Sequence, residues 1–504
     1  PQEMLEKIPT RITDKDGGLG DRINFLIVGP EARMKEAFQQ AGWVIVDRTK
    51  KDAILRGVLD SISKQGYVTM PMSELYFFGR VQDYGYAHAE PISVVAQRHH
   101  LRLWKAPFEL EGQTVWVGAA THDIGFERDK RNNGITHKID PEVDKERDYV
   151  VQTLTETGIV VKTAKLTPAI PIKEAKTATG GSFRSDGATH IMYVMGESPL
   201  DYSSSFADLF CSVFKQENPD TGEWGECGKY IESPGKTDVA LGALTDKYRV
   251  LIVPGIMNTC ASDAPAFIEG QTHLREKHNI TTELLSVPND SSEANAKQIA
   301  AYIQEHSKDD KRKYIVVGYS KGAPDLQVML ATEKDTVPMV AAFVTIAGAV
   351  GGSPIADILP VQADRWIKQF GFGGCKGDLS IGFKSLQKAV RQAFLLSYPN
   401  PLVPTYSLAA VSDKTNTSKM LLQNWTLLNT FGAAHDSQLT KSDSVVPGAK
   451  YLGVARADHF AVGLPLEKLQ NGVLKQFLDH GHYPRGALLE AVVRFVTQDL
   501  DKAK

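Results

Sequence analysis

Residues 318–322 read Gly-Tyr-Ser-Lys-Gly, standing directly between the apolar run YIVV (314–317) and a helical stretch. A chain that leaves a buried strand and enters a helix within one residue forces the residue at the bend into a strained backbone conformation. It also leaves little room for the neighbouring side chains. Glycines two residues either side of Ser320 meet that need. The bend lifts the Ser320 hydroxyl above the end of a sheet, and the helix N-terminus that follows favours negative charge developing there.

The surrounding pattern supplies the sheet. From Tyr248 onward RVLIVPG, TTELLSVP, KYIVVGYS, VAAFVTIAG, TYSLAAV and AKYLGVAR alternate with helical patterns such as EANAKQIAAYIQEHS. Apolar strands alternating with helices predict an α/β fold with a mostly parallel sheet and helices on both faces. The region from Arg22 to Val194 is different and reads as a mixed α+β domain. INFLIVG is a strand, PEARMKEAFQQAG a helix and WVIVDR a strand, and SVVAQRHHLRLW pairs with QTVWVGAATHD as an antiparallel hairpin. A helix follows Asp140-Pro141 and stops at Gly158. Clusters of Gly, Ser and Thr after Lys176 mark a boundary. The expected division is 1–196, a linker or extension over 197–237, and 238–504 with a cap inserted near 348–397.

At 504 residues the chain exceeds one ordinary core. Its 42% hydrophobic and 23% charged content is that of a soluble globular protein. A formal net charge of −3 argues against nucleic acid as a partner. No apolar run approaches the roughly 20 residues that span a bilayer. The sequence begins at Pro1 with no initiator Met or signal-like segment, so either a targeting segment has been removed or the start has been trimmed. Of the cysteines Cys211, Cys227, Cys260 and Cys375, the first two flank the turn-rich QENPDTGEWGE, which could bring them together as a disulfide. An even cysteine count gives weak support to a periplasmic or secreted location.

A serine hydroxyl needs a base to take its proton and an acid to hold that base in the right tautomer, in the chain order serine, acid, histidine. His459, in ARADHFAVG, follows the strand at 450–455, where the base belongs. For the acid, Asp436 is preferred to Asp443, with Asp413 third, because a helix (SKMLLQNWTLLNTF) intervenes after Asp413. Two backbone amides should form an oxyanion hole. One is that of Lys321, and the other that of Ile256 or Met257, after the turn that Gly255 permits.

Residues 318–322, 253–257, Asp436 and His459 together resemble the α/β-hydrolase superfamily, and within it GYSKGAPDLQ and TIAGAVGGSP resemble a bacterial subgroup. The resemblance implies Ser320 as nucleophile, Asp436 as acid, His459 as base, and the amides of Lys321 and Ile256 as oxyanion donors. One departure is His435-Asp436-Ser437, where lipase-like relatives often show Asn-Asp-Gly. The first region resembles the LssY C-terminal domain family through PMSELYFFGRVQ (71–82), RHHLRLW (98–104), VWVGAATHD (115–123) and THKIDPEVDKERD (136–148). That family implies no established activity. It accompanies membrane-embedded domains elsewhere, which leaves room for peripheral membrane association.

The first region also concentrates Arg98, His99, His100, Arg102, His122, Asp123, His137, Asp140, Asp144, Glu146 and Arg147. Lacking a metal signature such as HExxH, this cluster reads as structure or as a ligand site without metal, with a divalent metal as the lesser alternative. On a strand Arg98, His100 and Arg102 share a face opposite His99. The expected function is hydrolysis of a small-molecule or lipid ester by a serine esterase or lipase-like enzyme needing no cofactor. Gly-rich apolar stretches such as AVGGSPIADILP, FGFGGC and QAFLLS favour an apolar acyl group. The rivals are a non-catalytic envelope-associated binding or scaffold protein on the same fold, and an acyltransferase using the same residues.

Overall fold

In the computed structural model the apolar run at Phe25–Val28 (β1) is buried on both faces. The structure describes residues 2–46, 72, 74–89, 97–110, 112–128, 135–194, 196–220, 222–256, 258–259, 264–358, 376–430, 433–468, 476 and 478–503. The chain divides into two compact units, Pro1–Gly196 and Glu197–Lys504.

In the first unit β1 leads into α1 (Glu31–Gln40), which has no β-branched residue and buries Met34, Ala37 and Phe38 at one-turn spacing. Of WVIVDR, only Val44–Ile45 (β2) forms a described strand, with residues 47–48 outside the described set. The further strands of the unit's main sheet are Tyr84–Ala89 (β3), Gln97–Leu110 (β4), Gln113–Arg128 (β5), Ile135–Ile139 (β6), Val160–Leu166 (β7) and Thr189–Val194 (β8). The path through the sheet is β7-β8-β1-β5-β4-β3-β2, with β6 beside β5. β4 and β5 are the expected antiparallel hairpin, in a register that sets Arg98 opposite Asp123 and His99 opposite His122. The helix after Asp140-Pro141 is α2, Val143–Glu156. It packs Val150 and Leu154 with Phe25, Phe38, Trp116 and Met192 in one core.

The second unit is built on β9 (Leu200–Asp201), β10 (Arg249–Val253), β11 (Thr282–Leu284), β12 (Tyr314–Tyr319), β13 (Val340–Ile346), β14 (Thr405–Val411) and β15 (Lys450–Arg456). They lie in the order β9-β15-β14-β13-β12-β10-β11, every neighbouring pair parallel. Both faces are covered, so β10 and β12 are buried throughout. The longer described helices are α3 (Ser203–Glu217), α4 (Ile268–His278), α5 (Ser292–His306), α6 (Gly322–Thr332), α7 (Lys388–Ser397), α8 (Leu422–Asn429) and α9 (Arg485–Lys502). α5 shows the local logic: the Ser291 hydroxyl accepts the Ala294 N–H at 3.2 Å, while Ala296, Ile299, Ala300 and Ile303 bury one face.

The stretch 197–237, expected to be a linker or extension, is an integral part of the second unit. β9 extends its sheet, and α3 buries Phe206, Phe210 and Phe214 in the same core as β10, β12 and α9. Cys211 on α3 is disulfide-bonded to Cys227. Cys260 and Cys375 lie outside the described residues. Between β13 and β14 stand short helices at Pro354–Ile358 and Leu379–Lys384, then α7. The FGFGGC segment expected to help form an acyl pocket lies outside the described residues, apart from which the inserted stretch is described over 348–358 and 376–397. Among the described residues no helix is long and apolar enough to cross a membrane.

Candidate active site

The sheet of the second unit reverses its winding between β10 and β12, whose C-terminal ends are aligned with Val253 opposite Gly318. A crevice opens at such a switch point, outside the carboxyl ends of the strands. Ser320 stands there, with φ +53° in the left-handed region. A side chain at position 318 would meet the backbone of Ala323 at 2.6 Å, and one at 322 would meet the Val253 carbonyl at 2.0 Å. The two glycines are therefore what lets β12 turn into α6 at Ser320.

Three side chains converge at this bend. His459 Nε2 lies 2.8 Å from Ser320 Oγ, and His459 Nδ1 lies 2.7 Å from Asp436 Oδ2. All three residues are at least nine-tenths buried. They come from β12, from the loop beyond α8, and from the turn after β15, so β14 and β15 set the distance that joins them. The other oxygen of Asp436 accepts N–H bonds from Gln438 at 2.9 Å and Leu439 at 2.8 Å, which fixes the carboxylate plane. Ser437 takes φ +81°, the conformation for which glycine is favoured, at the place where the sequence departs from Asn-Asp-Gly.

The other acid candidates are engaged elsewhere. Asp443 is buried against Lys388 Nζ at 3.0 Å and accepts from Thr440 Oγ1 at 2.7 Å. Asp413 accepts from Thr415 and Asn416 in its own exposed turn.

Lys321 buries its ammonium against Asp325, with Nζ 2.7 Å from Oδ1, so the side chain points away from Ser320 and its amide is the group left at the bend. The Ile256 backbone follows Gly255, where a Cβ would come within 2.7 Å of Ser320 Cβ and 3.1 Å of Oγ. Met257 lies outside the described residues. Asn258 Nδ2 donates to the Gly255 carbonyl at 2.8 Å and the Val287 carbonyl at 3.1 Å, holding this loop in place.

Two supporting residues escaped the sequence reading. Tyr319 OH donates to the His459 carbonyl at 2.6 Å, and its ring stacks on the imidazole with centroids 5.5 Å apart. Burial, with Asp436 and Asp458 nearby, pushes the Tyr319 phenol well above its ordinary value, so it stays a donor. Asp458, adjacent to His459, accepts from the backbone of Phe460, Ala461 and Ser418, and burial raises its carboxyl. Both sit next to motif residues, which is a positional signal, but the Tyr319–His459 and Ser418–Asp458 bonds join segments distant in sequence.

The inserted stretch packs onto the same loops. Ala349, Ala356, Leu386 and Leu439 form an apolar cluster joined by Ile256 and Phe383. It is pinned by Gly351 N–H to the Asp443 carbonyl at 2.8 Å, and by Arg391, whose Nη2 donates to Gln327 Oε1 at 2.6 Å.

The polar cluster of the first unit falls on two faces of the hairpin, as the alternation of a strand requires. On one, Asp123 accepts from Arg98 at 3.2 Å and pairs with His100 at 2.8 Å. On the other, His99 pairs with Glu146 of α2 at 2.6 Å and stacks on His122 with centroids 4.5 Å apart. Arg147 joins neither group and pairs with Asp144, Asp148 and Asp186. His137 has a described backbone in β6, paired with Phe126. A cleft beside the second face is lined by His99, His122, Asp140, Glu142, Lys145, Glu146 and Tyr149, among others.

No curated protein matches this sequence. Among solved structures, a metagenomic carboxyl esterase is similar at 27% identity with a TM-score of 0.53, over 60% of this chain and 93% of its own. Mature lipase BlEst2 of Bacillus licheniformis is more distant, at 21% identity and TM-score 0.36 over 44% of this chain and 89% of its own. RedJ thioesterase of Streptomyces coelicolor stands at 15% and 0.30, over 51% of this chain and 96% of its own. Residues 5–189 match the family model described as LssY C-terminus, and the chain beyond that match carries an α/β-hydrolase fold.

Proposed function

We propose that the C-terminal unit is a serine hydrolase of carboxylic esters, with apolar or lipidic acyl groups as its substrates. The observation that carries this reading is the hydrogen-bonded relay from Ser320 Oγ through His459 to Asp436, raised on a strained turn at a sheet switch point. Likeness to a carboxyl esterase at 27% identity supports the reaction class.

In the mechanism proposed, His459 Nε2 takes the Ser320 proton as Oγ bonds to the ester carbonyl carbon. Asp436 holds the ring with Nδ1–H toward itself and stabilises the imidazolium. The amides of Lys321 and Ile256 donate to the tetrahedral oxyanion. Collapse breaks the carbon–alkoxide bond, and the leaving oxygen takes the proton back from Nε2. Water then repeats the sequence on the acyl-enzyme, releasing the acid and restoring Ser320.

The apolar cluster of Ile256, Ala349, Phe383 and Leu386 beside these loops supports an apolar acyl site. The disulfide between Cys211 and Cys227 suits a periplasmic or secreted location. A series of p-nitrophenyl esters from acetyl to palmitoyl tests the substrate class. Rising kcat/KM with chain length is expected; a maximum at acetyl, or no hydrolysis beside activity on amides, contradicts it.

A further inference from the structure

Away from Ser320, His273, His278 and Glu490 each bring one donor atom within 4.8 Å of the others. The histidines stand in the last turns of α4, and Glu490 stands on α9. These helices pack closely: a side chain at Gly270 would meet Leu489 Cβ at 2.8 Å. Glu490 Oε2 is 2.5 Å from His273 Nε2 and 3.0 Å from His278 Nε2. Only His273 is aligned to hydrogen-bond it, because His278 Nε2 is buried with no hydrogen-bond partner despite that short approach. A buried ring nitrogen aimed past its neighbour costs stability unless something else meets its lone pair.

Three further features suit a cation at this point. The other oxygen of Glu490 accepts from Arg494 Nε at 2.7 Å, leaving Oε2 to face the two nitrogens. Behind His273, the Glu217 carboxylate at the end of α3 lies 3.7 Å from Nδ1 and is held by Lys277 Nζ, so a small shift would let it take the Nδ1–H of a metal-bound ring. The two imidazoles are 10% and 16% exposed, so the cluster lies just beneath the surface.

We propose that His273, His278 and Glu490 bind a zinc ion that ties α4 to α9. Two imidazole nitrogens and a carboxylate oxygen form a zinc ligand set, with water as the fourth ligand. Magnesium and calcium prefer oxygen donors and are poorly served here. The site is independent of the ester chemistry and its role is to stabilise the fold.

The test uses the full chain, stripped with EDTA and dialysed, then titrated with zinc chloride by calorimetry with thermal unfolding in parallel. Expected are one saturable site and a Tm that rises with zinc but not with magnesium or calcium. His278→Gln should weaken zinc binding about tenfold or more, and Glu217→Gln about tenfold. Cobalt(II) added to the stripped protein should give visible absorption bands that His278→Gln lacks, a readout that does not depend on stability. Absence of a saturable site, or the same affinity and cobalt spectrum in a His273→Gln/His278→Gln double variant, overturns the proposal.

Discussion

Asp436 and His459 are joined twice: the carboxylate Oδ2 lies 2.7 Å from the ring Nδ1, and the His459 backbone N–H donates to the Asp436 carbonyl at 2.8 Å. Asp443, seven residues on, instead pairs with Lys388 in the inserted stretch. The two carboxylates should therefore fail differently. Asp436→Asn is expected to lower kcat on the order of 10⁴-fold, by presenting the imidazole in the wrong tautomer, with little change in Tm. Asp443→Asn should leave kcat within a few fold and cost about 2 kcal/mol of stability by leaving Lys388 without its buried partner. Steady-state kinetics beside denaturant unfolding separates the two.

Gly255 tests how closely the loop after β10 approaches Ser320, the proposed nucleophile. An alanine methyl there would sit 2.7 Å from Ser320 Cβ, so either the loop or the serine must move. Gly255→Ala is expected to reduce kcat about 100-fold, the usual effect of displacing a reacting atom by roughly 1 Å. KM should change little. Unaltered kcat would mean that the loop shifts without cost.

His435 precedes Asp436 and is buried, which lowers its pKa, with the charge of Asp436 opposing that effect only in part. The folded state thus prefers the neutral ring. Its contribution is complete above the unfolded value of about 6.5 and is lost as pH falls from there through the depressed folded value. Wild type should accordingly lose stability between pH 7.5 and 5 more steeply than His435→Asn, as read from urea midpoints. Parallel curves for the two would contradict this assignment.

The Cys211–Cys227 bond closes a loop with a sequence separation of 16 on a helix buried against the sheet. Replacing both cysteines with serine should destabilise the protein by about 3 kcal/mol on loop-closure entropy. Ester hydrolysis at 25 °C should be unaffected as long as the protein stays folded, since the relay of Ser320, His459 and Asp436 does not include either cysteine.

Much of this was legible because one local rule and one global rule agree. The pattern of buried strand, glycine, serine, glycine and helix places Ser320, and alternation of apolar runs with helices places its sheet. The stretch 197–237 misled because its turn-rich half, ENPDTGEWGECG, reads as linker. The aromatic periodicity of SSSFADLFCSVF, which buries Phe206, Phe210 and Phe214, is a core signal confined to one helix. Tyr319 carries no such signal, because a hydrogen bond between residues 140 apart leaves no periodicity behind, and the bond from Ser418 to Asp458 spans 40 residues with the same result. His273, His278 and Glu490 were invisible for the same reason: a separation of over 200 residues is closed only by the packing of α9 on α4.

The most direct measurement is reaction of the whole protein with a fluorophosphonate probe, followed by intact mass and peptide mapping. A hydroxyl activated by His459 predicts one adduct per chain, on Ser320, abolished in Ser320→Ala and slowed at least about 1000-fold in His459→Ala. Wild-type protein that remains unlabelled while folded, or that is labelled at another residue, would contradict the account.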